Sequence, residues 1–482
     1  MYRTRLLQNQ VKNTASKTNV YVSGHGWTGA LGQGSDIMTD SQKSSVSPSE
    51  RDNDFTSLDI PNVINAAAGW GHTALITSDK KLLVCGRPYD FQQLMRLYRM
   101  PSLVRRLTVM NSMMLEKGEE PGIFAKIIDG VFRNSDKNTT DEYKRAIFPN
   151  FIEFQLPNDD VPVADNSSGK TLAASAGLTA VIGESGKLYT FGLNQRGQCG
   201  IGNRKTHHVW EPQPVIMKKS EDVSGVEGEE LQDIVHVDLG LQHVLALNKN
   251  GELFGWGKGS RGQLGQADFK SQNYDDGKVS TVDLEYAAIP IDEFEIVTET
   301  SRDILRGNDA KVTSTAAGWN HSACITESNH AFIWGKNAMA EMKDGRLDPV
   351  DAPSPTLVKG LPSGMEIKDV SCGSHHTAFL LEDNSVYALG IATDTAMPIG
   401  EEAVEVVPPG LVSDLKQFTS HHDRTTIVTK DNEVLELQMW STDELRSSAI
   451  FEPEWVEEIT SDGSKIESVH RGWLHSLVLT ST

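Results

Sequence analysis

Long apolar runs are missing from this sequence. No stretch of its 482 residues approaches the roughly 20 apolar residues that a membrane-spanning helix needs, so no transmembrane segment is expected. Cysteine is scarce. Cys85, Cys199, Cys324 and Cys372 lie far apart with no CxxC pair, which removes a disulfide framework and a zinc knuckle and suits a reducing compartment. Basic charge is short as well: 45 Lys and Arg stand against 66 Asp and Glu, for a net charge of −21. That balance argues against a protein whose main task is gripping nucleic acid phosphates, and direct DNA binding is not expected. Apolar residues still reach 38% and include 9 Trp, enough for a sizeable packed core. By length alone the chain would divide into about three domains.

Acid is absent altogether from residues 1–35, where Arg3, Arg5, Lys12 and Lys17 accumulate beside Ser and Thr. Such composition is that of an organelle transit segment, or of a short disordered tail. Residues 1–18 are therefore read as a flexible or targeting segment. The expected location is mitochondrial, with the cytoplasm or nucleus as alternatives.

A repeat overrides the domain count. Segments beginning at Ile64, Ile234, Val312 and Ile367 share Gly-x-x-His, an apolar run, a polar turn, a second apolar run and a closing Gly. The members are Gly69, His72 and Gly86; Gly240, His243 and Gly257; Gly318, His321 and Gly335; and Gly373, His376 and Gly390. In each, His and closing Gly are 14 residues apart. Weaker copies place Leu178 and Arg424 where His is expected, with Gly192 and Gln438 closing. A half-copy supplies Gly472 and His475 before the chain ends, and its missing half, with Gly24, is at the other terminus. Short apolar runs separated by polar turns read as antiparallel hairpins. The fold class is all-β: a seven-bladed β-propeller over residues 19–482, closed by pairing of the N- and C-terminal strands. A partly helical insertion is expected over 88–166, between the first and second blades.

The segments VYVSGHGWTGALGQG, AAGWGHTALI, FGLNQRGQCGIGN and FGWGKGSRGQLGQ resemble repeats of the regulator of chromosome condensation family. The resemblance implies a seven-bladed propeller. It also implies a choice of roles, since some members are exchange factors for small GTPases and many are interaction scaffolds or ubiquitin-ligase modules. The acid-free start and the opening repeat look most similar to the mitochondrial branch. That branch is linked to mitochondrial ribosome or RNA granule function and to exchange on a dynamin-like GTPase. Exchange-factor members displace nucleotide with a wedge projecting from the ring; no segment here is assigned to it.

Several motifs have a structural reading. GKGSRG from Gly257 and GHGWTG from Gly24 match a dinucleotide fingerprint but fall at the same repeat phase, and GESGKL from Gly183 lies at a hairpin turn. The recurring His72, His243, His321, His376 and His475 are expected to hydrogen bond from a ring nitrogen to the backbone of a neighbouring strand. The pairs His207–His208, His375–His376 and His421–His422 point to opposite faces. No catalytic, cofactor or metal site is singled out.

Function is then expected where the repeat is broken. Phe91 to Met114 is acid-free and carries Arg96, Arg99, Arg105 and Arg106. Pro101 can start a helix with Leu103, Leu107, Met110 and Met114 on one face, available to a partner or to the side of the ring. Glu221, Asp222, Glu227, Glu229, Glu230 and Asp233 form an acidic loop, and Ala267 to Asp309 reads as a surface excursion. Candidate partner-binding residues are Arg96, Arg99, Arg105, Arg106 and Arg424. The expected function is a non-enzymatic, monomeric scaffold for a protein partner, a GTPase or a mitochondrial ribonucleoprotein. The alternative is a guanine nucleotide exchange factor for a small or dynamin-like GTPase.

Overall fold

Each hairpin spelled out by the repeat becomes the middle of an antiparallel sheet, and seven such sheets form the ring. The structure is a computed structural model. It describes residues 18–24, 30–32, 55–86, 148–164, 169–203, 205–218, 228–265, 284–297, 302–343, 346–390, 402–422, 424–438, 450–473 and 475–482. Blade 1 comprises Val63–Ala68, His72–Thr77, Leu82–Gly86 and Phe148–Phe154, in order outward. The constant spacing is a strand register. His72 pairs with Gly86, His243 with Gly257, His321 with Gly335 and His376 with Gly390 across the second and third strands.

Blade 7 closes the ring as expected. Lys465–Arg471 and His475–Ser481 supply its first two strands, and Thr18–Gly24 and Thr56–Leu58 the outer two. Thr18 pairs with Ser481 and Gly24 with His475, so the chain's two ends share one continuous ladder. Buried side chains collect between blades. One cluster joins blades 1 to 3 around Tyr189 and Trp256, and another joins blades 3 to 5 around Phe332, Trp334 and Phe379.

Two boundaries move. Phe148–Phe154 is the outer strand of blade 1, pairing Leu82 with Phe154, so the segment taken as an insertion over 88–166 includes ring structure. Its basic residues and the helix expected from Pro101 lie outside the described residues. Among those residues the helices are Trp455–Thr460 and short 3₁₀ turns at Pro157–Asp159 and Gly307–Ala310, so described helix in the insertion amounts to one turn. None of the described helices is long and apolar enough to cross a membrane. The expected excursion from Ala267 is partly sheet. Leu284–Ile291 is the outer strand of blade 3, and Phe294–Val297 and Arg302–Leu305 extend the sheet of blade 4.

In such a meander the first-to-second and third-to-fourth connections leave from the same end of every sheet. The Gly-x-x-His turns therefore share one face of the ring with Gly86 and Phe148, the paired ends of the third and fourth strands of blade 1. That face also carries the outer hairpin of blade 4, Ala331–Lys343 with Arg346–Leu357. Its strands have 13 and 12 residues where the equivalents in blade 1 have 5 and 7. They remain paired out to Lys343 and Arg346.

Candidate functional site

The repeated histidines join blades. His72 Nε2 lies 2.9 Å from Thr179 Oγ1 of blade 2, His243 Nε2 3.0 Å from Ser322 Oγ, and His321 Nε2 3.0 Å from Thr377 Oγ1. His376 reaches Thr425 Oγ1 at 3.1 Å, and His475 reaches Thr73 Oγ1 at 2.8 Å. Nε2 meets a side-chain hydroxyl on the next blade, and the backbone of that blade at Leu178, His321 and His376 also acts on the rings of His72, His243 and His321, so the backbone contact expected from sequence is joined by a hydroxyl. Ser322 and Thr73 in turn donate to the carbonyls of Gln263 and Ala30, which leaves the ring N–H to donate to them. The glycine three residues earlier is steric. A Cβ on Gly240 would sit 2.1 Å from His243 Cε1, and one on Gly318 2.1 Å from His321 Cε1.

Two joints depart from this pattern together with their partners. Between blades 2 and 3, Leu178 takes the histidine's place and Val244 the hydroxyl's, both buried in one cluster. Between blades 6 and 7 the joint is ionic. Arg424 Nη1 donates to Glu436 Oε2 at 2.9 Å, Arg471 Nη2 donates to Glu436 Oε1, and Arg471 Nη1 donates to Ser476 Oγ at 3.2 Å. Arg424, expected at a partner surface, is instead 8% exposed and bound within the ring. The pattern predicts that Thr377→Val, which strands the His321 N–H, costs about 1–3 kcal/mol. Adding His321→Leu, which copies the joint between blades 2 and 3, is expected to recover part of that loss in urea denaturation.

Burial sets the charge state of these rings. It pushes His72 and His243 down to about 4 and His321 to about 3, from an ordinary 6.5. On the inner strands it likewise takes His236 and His470 to about 4 and His421 to about 3. A depressed histidine is neutral in both states above 6.5, while below that value the unfolded chain gains protons that the folded one refuses. Stability is therefore expected to be complete above pH 6.5 and to fall as pH drops from 6.5 towards 4, read as a declining thermal midpoint. A midpoint constant across that window would show these rings to be accessible to protons.

The axial channel holds further paired charge. Lys170 Nζ donates to Asp238 Oδ1 at 2.7 Å, and the Ala317 N–H donates to Asp238 Oδ2 at 3.0 Å. Burial raises the Asp238 carboxyl, but Lys170, His236 and that N–H hold it below the carboxylate range. Asp369 goes the other way. Burial pushes it up despite the Ser314 hydroxyl 2.7 Å away. A cavity of about 80 Å³ lies along the axis. Above it aromatic side chains at the two middle positions of the Gly-x-x-His turns form a collar. Trp70 lies 5.5 Å from Trp319 and 4.8 Å from Trp473, and Trp319 lies 5.3 Å from His375 and 5.2 Å from His422. His422 has φ 40°, a left-handed conformation unusual for a residue with a side chain. Its carbonyl accepts both the Ser374 N–H and hydroxyl at 2.7 Å.

Among the described residues no group of three or more His, Cys, Asp or Glu side chains is placed to hold a metal. Gly257 and Gly262 have φ 97° and 83° and the Gly262 N–H donates to Gly259 O at 2.8 Å, so the fingerprint-like GKGSRG forms a turn. Arg96, Arg99, Arg105 and Arg106 lie outside the described residues. Sequence reading missed the collar, although Trp at the same phase in three copies signalled it. It also missed the long hairpin of blade 4, which Asp344-Gly345 marks as a turn pair between two strands.

Models of the "Regulator of chromosome condensation (RCC1) repeat" match residues 185–247 and 250–325, and residues 234–263, 312–339 and 367–391. The chain is 24% identical over 429 residues to protein pim1 of Schizosaccharomyces pombe, covering 82% of this chain and 70% of that one. It is 27% identical over 232 residues to the ultraviolet-B receptor UVR8 of Arabidopsis thaliana, covering 48% and 43%. It is 30% identical over 213 residues to the human E3 ubiquitin-protein ligase HERC2, covering 42% and 4%. The chain thus spans less than half the length of UVR8 and a small part of HERC2. Two crystal structures share the fold. Prp20p of Saccharomyces cerevisiae, described with its binding to Gsp1p and histones, is 16% identical with a TM-score of 0.56 over 97% of this chain and 92% of that one. Human WBSCR16 is 15% identical with a TM-score of 0.57 over 96% and 99%. The repeat models thus match residues 185–339 and 367–391 of this chain, within its seven-bladed ring.

Proposed function

We propose that the chain is a non-enzymatic interaction propeller that holds a protein partner, in mitochondria, against the face bearing the Gly-x-x-His turns. The aromatic collar carries this reading. The repeat histidines are spent on blade joints, whereas Trp319 and Trp473 keep part of their surface at the axial end, and tryptophan is favoured as an interface anchor. The acid-free first 35 residues support the location. Prp20p, which shares the fold, is described as binding Gsp1p and histones, which supports a protein partner. Proximity labelling around the full chain is expected to mark a defined set of mitochondrial proteins that shrinks in the variant Trp319→Ser/Trp473→Ser. Labelling confined to other compartments overturns the location, and an unchanged set overturns the role of the collar.

One observation favours a second reading, nucleotide exchange. The hairpin Ala331–Lys343 with Arg346–Leu357 outruns its sheet as a two-stranded ribbon, the shape that a displacing wedge requires. Faster release of labelled GDP from a candidate GTPase, lost when residues 337–350 are replaced by a short turn, is the expected result for that reading.

A further inference from the structure

The first strands of the seven blades and the turns that follow them enclose the axial cavity of about 80 Å³. That is room for about five waters, or for one molecule of about four to six heavy atoms. Lys170, Asp238, Ser371, Thr419 and His421 stand in its wall, and Trp70, Trp319 and Trp473 of the collar line it as well. A chamber with so polar a wall holds water or a ligand in preference to a void.

The hydrogen-bonding capacity left open in the wall belongs almost entirely to donors. Asp238 Oδ1 accepts from Lys170 Nζ at 2.7 Å and from the Leu239 N–H at 3.1 Å, and Oδ2 accepts the Ala317 N–H at 3.0 Å. The Lys170 ammonium carries three N–H groups and gives one of them to Asp238; its side chain stays 41% exposed. Ser371 Oγ accepts the Ser420 N–H at 2.6 Å, which leaves its own proton to donate. Among the described residues no hydrogen bond engages the Thr419 hydroxyl or the His421 ring. After burial, Lys170 lowers His421, His470 and Arg471 add to it, and Asp238 opposes. Lys170 of blade 2 and His421 of blade 6 therefore act on one another across the axis, and the neutral ring has one N–H to offer. Arg471 also reaches the cavity, but it holds Glu436 and Ser476 and is given no part.

We propose that the axial cavity binds a small monocarboxylate of the size of acetate or lactate, its oxygens on Lys170 and His421 with the Ser371 and Thr419 hydroxyls beside them, its carbon end towards the collar. This goes beyond the scaffold reading and does not depend on it. Buried donors without an acceptor are costly, and one carboxylate supplies charge-assisted bonds to several of them. A cation finds no open acceptor, because Asp238 is the one carboxylate among the described residues of the wall and its oxygens are taken. A phosphate dianion is disfavoured, since Asp238 lies 2.7 Å from the same ammonium and repels a second negative charge.

The probes are acetate, propionate and lactate, each titrated into the full chain at neutral pH and constant ionic strength against chloride. Tryptophan emission and the thermal midpoint are read. Acetamide, inorganic phosphate and benzoate are run beside them. At least one of the small carboxylates is expected to give a saturable change in emission and a raised midpoint, and acetamide neither. Lys170→Met/Asp238→Asn removes the ammonium together with its partner's charge, while the amide oxygen still accepts the Ala317 N–H; binding is expected to weaken about tenfold or more. Thr419→Val keeps the shape and breaks no side-chain bond of the fold. It is expected to weaken binding about fivefold with the midpoint of the unliganded chain unchanged. Saturation with none of the small carboxylates, an equal response to acetamide, or undiminished binding by both variants overturns the proposal. Tighter binding of phosphate overturns it in favour of an inorganic anion. Benzoate binding as tightly as acetate would place the site on the open side of the collar, and overturns it as well.

Discussion

Replacing Glu436 by alanine is expected to destabilise the ring by about 3–5 kcal/mol, the cost of leaving buried charge unpaired. Glu436 is fully buried and is the shared carboxylate of Arg424 and Arg471, which are 8% and 7% exposed. Without it the two guanidiniums lose the carboxylate they share in the joint between blades 6 and 7. That joint adjoins the blade that ties both chain ends together, so its loosening is also expected to speed proteolysis of the terminal strands. The larger effect is in the comparison. Arg424→His/Glu436→Val/Arg471→Ala rebuilds the histidine joint, because Ser476 already stands where the other blades place their hydroxyl. Buried ionic triads can often be exchanged for packed apolar groups at little cost, so the triple variant is expected within about 1–2 kcal/mol of the parent, far from additive. Urea denaturation of the single and triple variants checks both. A Glu436→Ala chain within about 1 kcal/mol of the parent would mean that the triad does not hold this joint.

Arg424 also shows where sequence reading stops. That it breaks the pattern is plain, because the 14-residue phase is local: it is the register of one hairpin, fixed by a short turn. What it binds is not local. Glu436 is 12 residues away and within the blade, but Arg471 is 35 from Glu436 and on the next blade. The hydroxyls that receive the histidines are 49 to 107 residues distant along most of the ring, and 402 where His475 meets Thr73. Each is simply the residue after the histidine position of the following copy, whether His, Leu178 or Arg424 stands there, a relation visible only once the copies are arranged as a ring. Val244 opposite Leu178 could have been noticed in the sequence as a paired exception. The outer strands were the least legible. Phe148–Phe154 and Leu284–Ile291 follow long connections and carry no repeat motif, so segments that complete blades read as insertion and excursion.

Gly257→Ala is expected to cost about 2–5 kcal/mol, combining a left-handed backbone with an overlap that nothing flexible can relieve. Gly257 has φ +97°, and a Cβ there would lie 2.5 Å from Gln242 O and 2.9 Å from His243 Cα, both main chain. Gly463 separates the two contributions. Its φ is +84° with nothing within 4 Å of the added carbon, so Gly463→Ala bears the conformational cost alone, about 1–2 kcal/mol. Denaturation midpoints of the two variants should differ clearly, and equal midpoints would mean that the crowding at Gly257 is relieved by strand movement. The closing glycine does not serve the histidine it faces. In blade 2, where Leu178 replaces the histidine, Gly192 persists at φ +119° and its added carbon would lie 2.1 Å from Gly177 O. The two halves of the repeat motif thus answer to different demands: the glycine to the path of the third strand past the preceding turn, the histidine to the neighbouring blade. It follows that His321→Leu/Thr377→Val should be tolerated far better than Gly335→Ala. Gly335 has φ +105°, and a carbon added there would lie 2.6 Å from Asn320 O and 2.7 Å from His321 Cα.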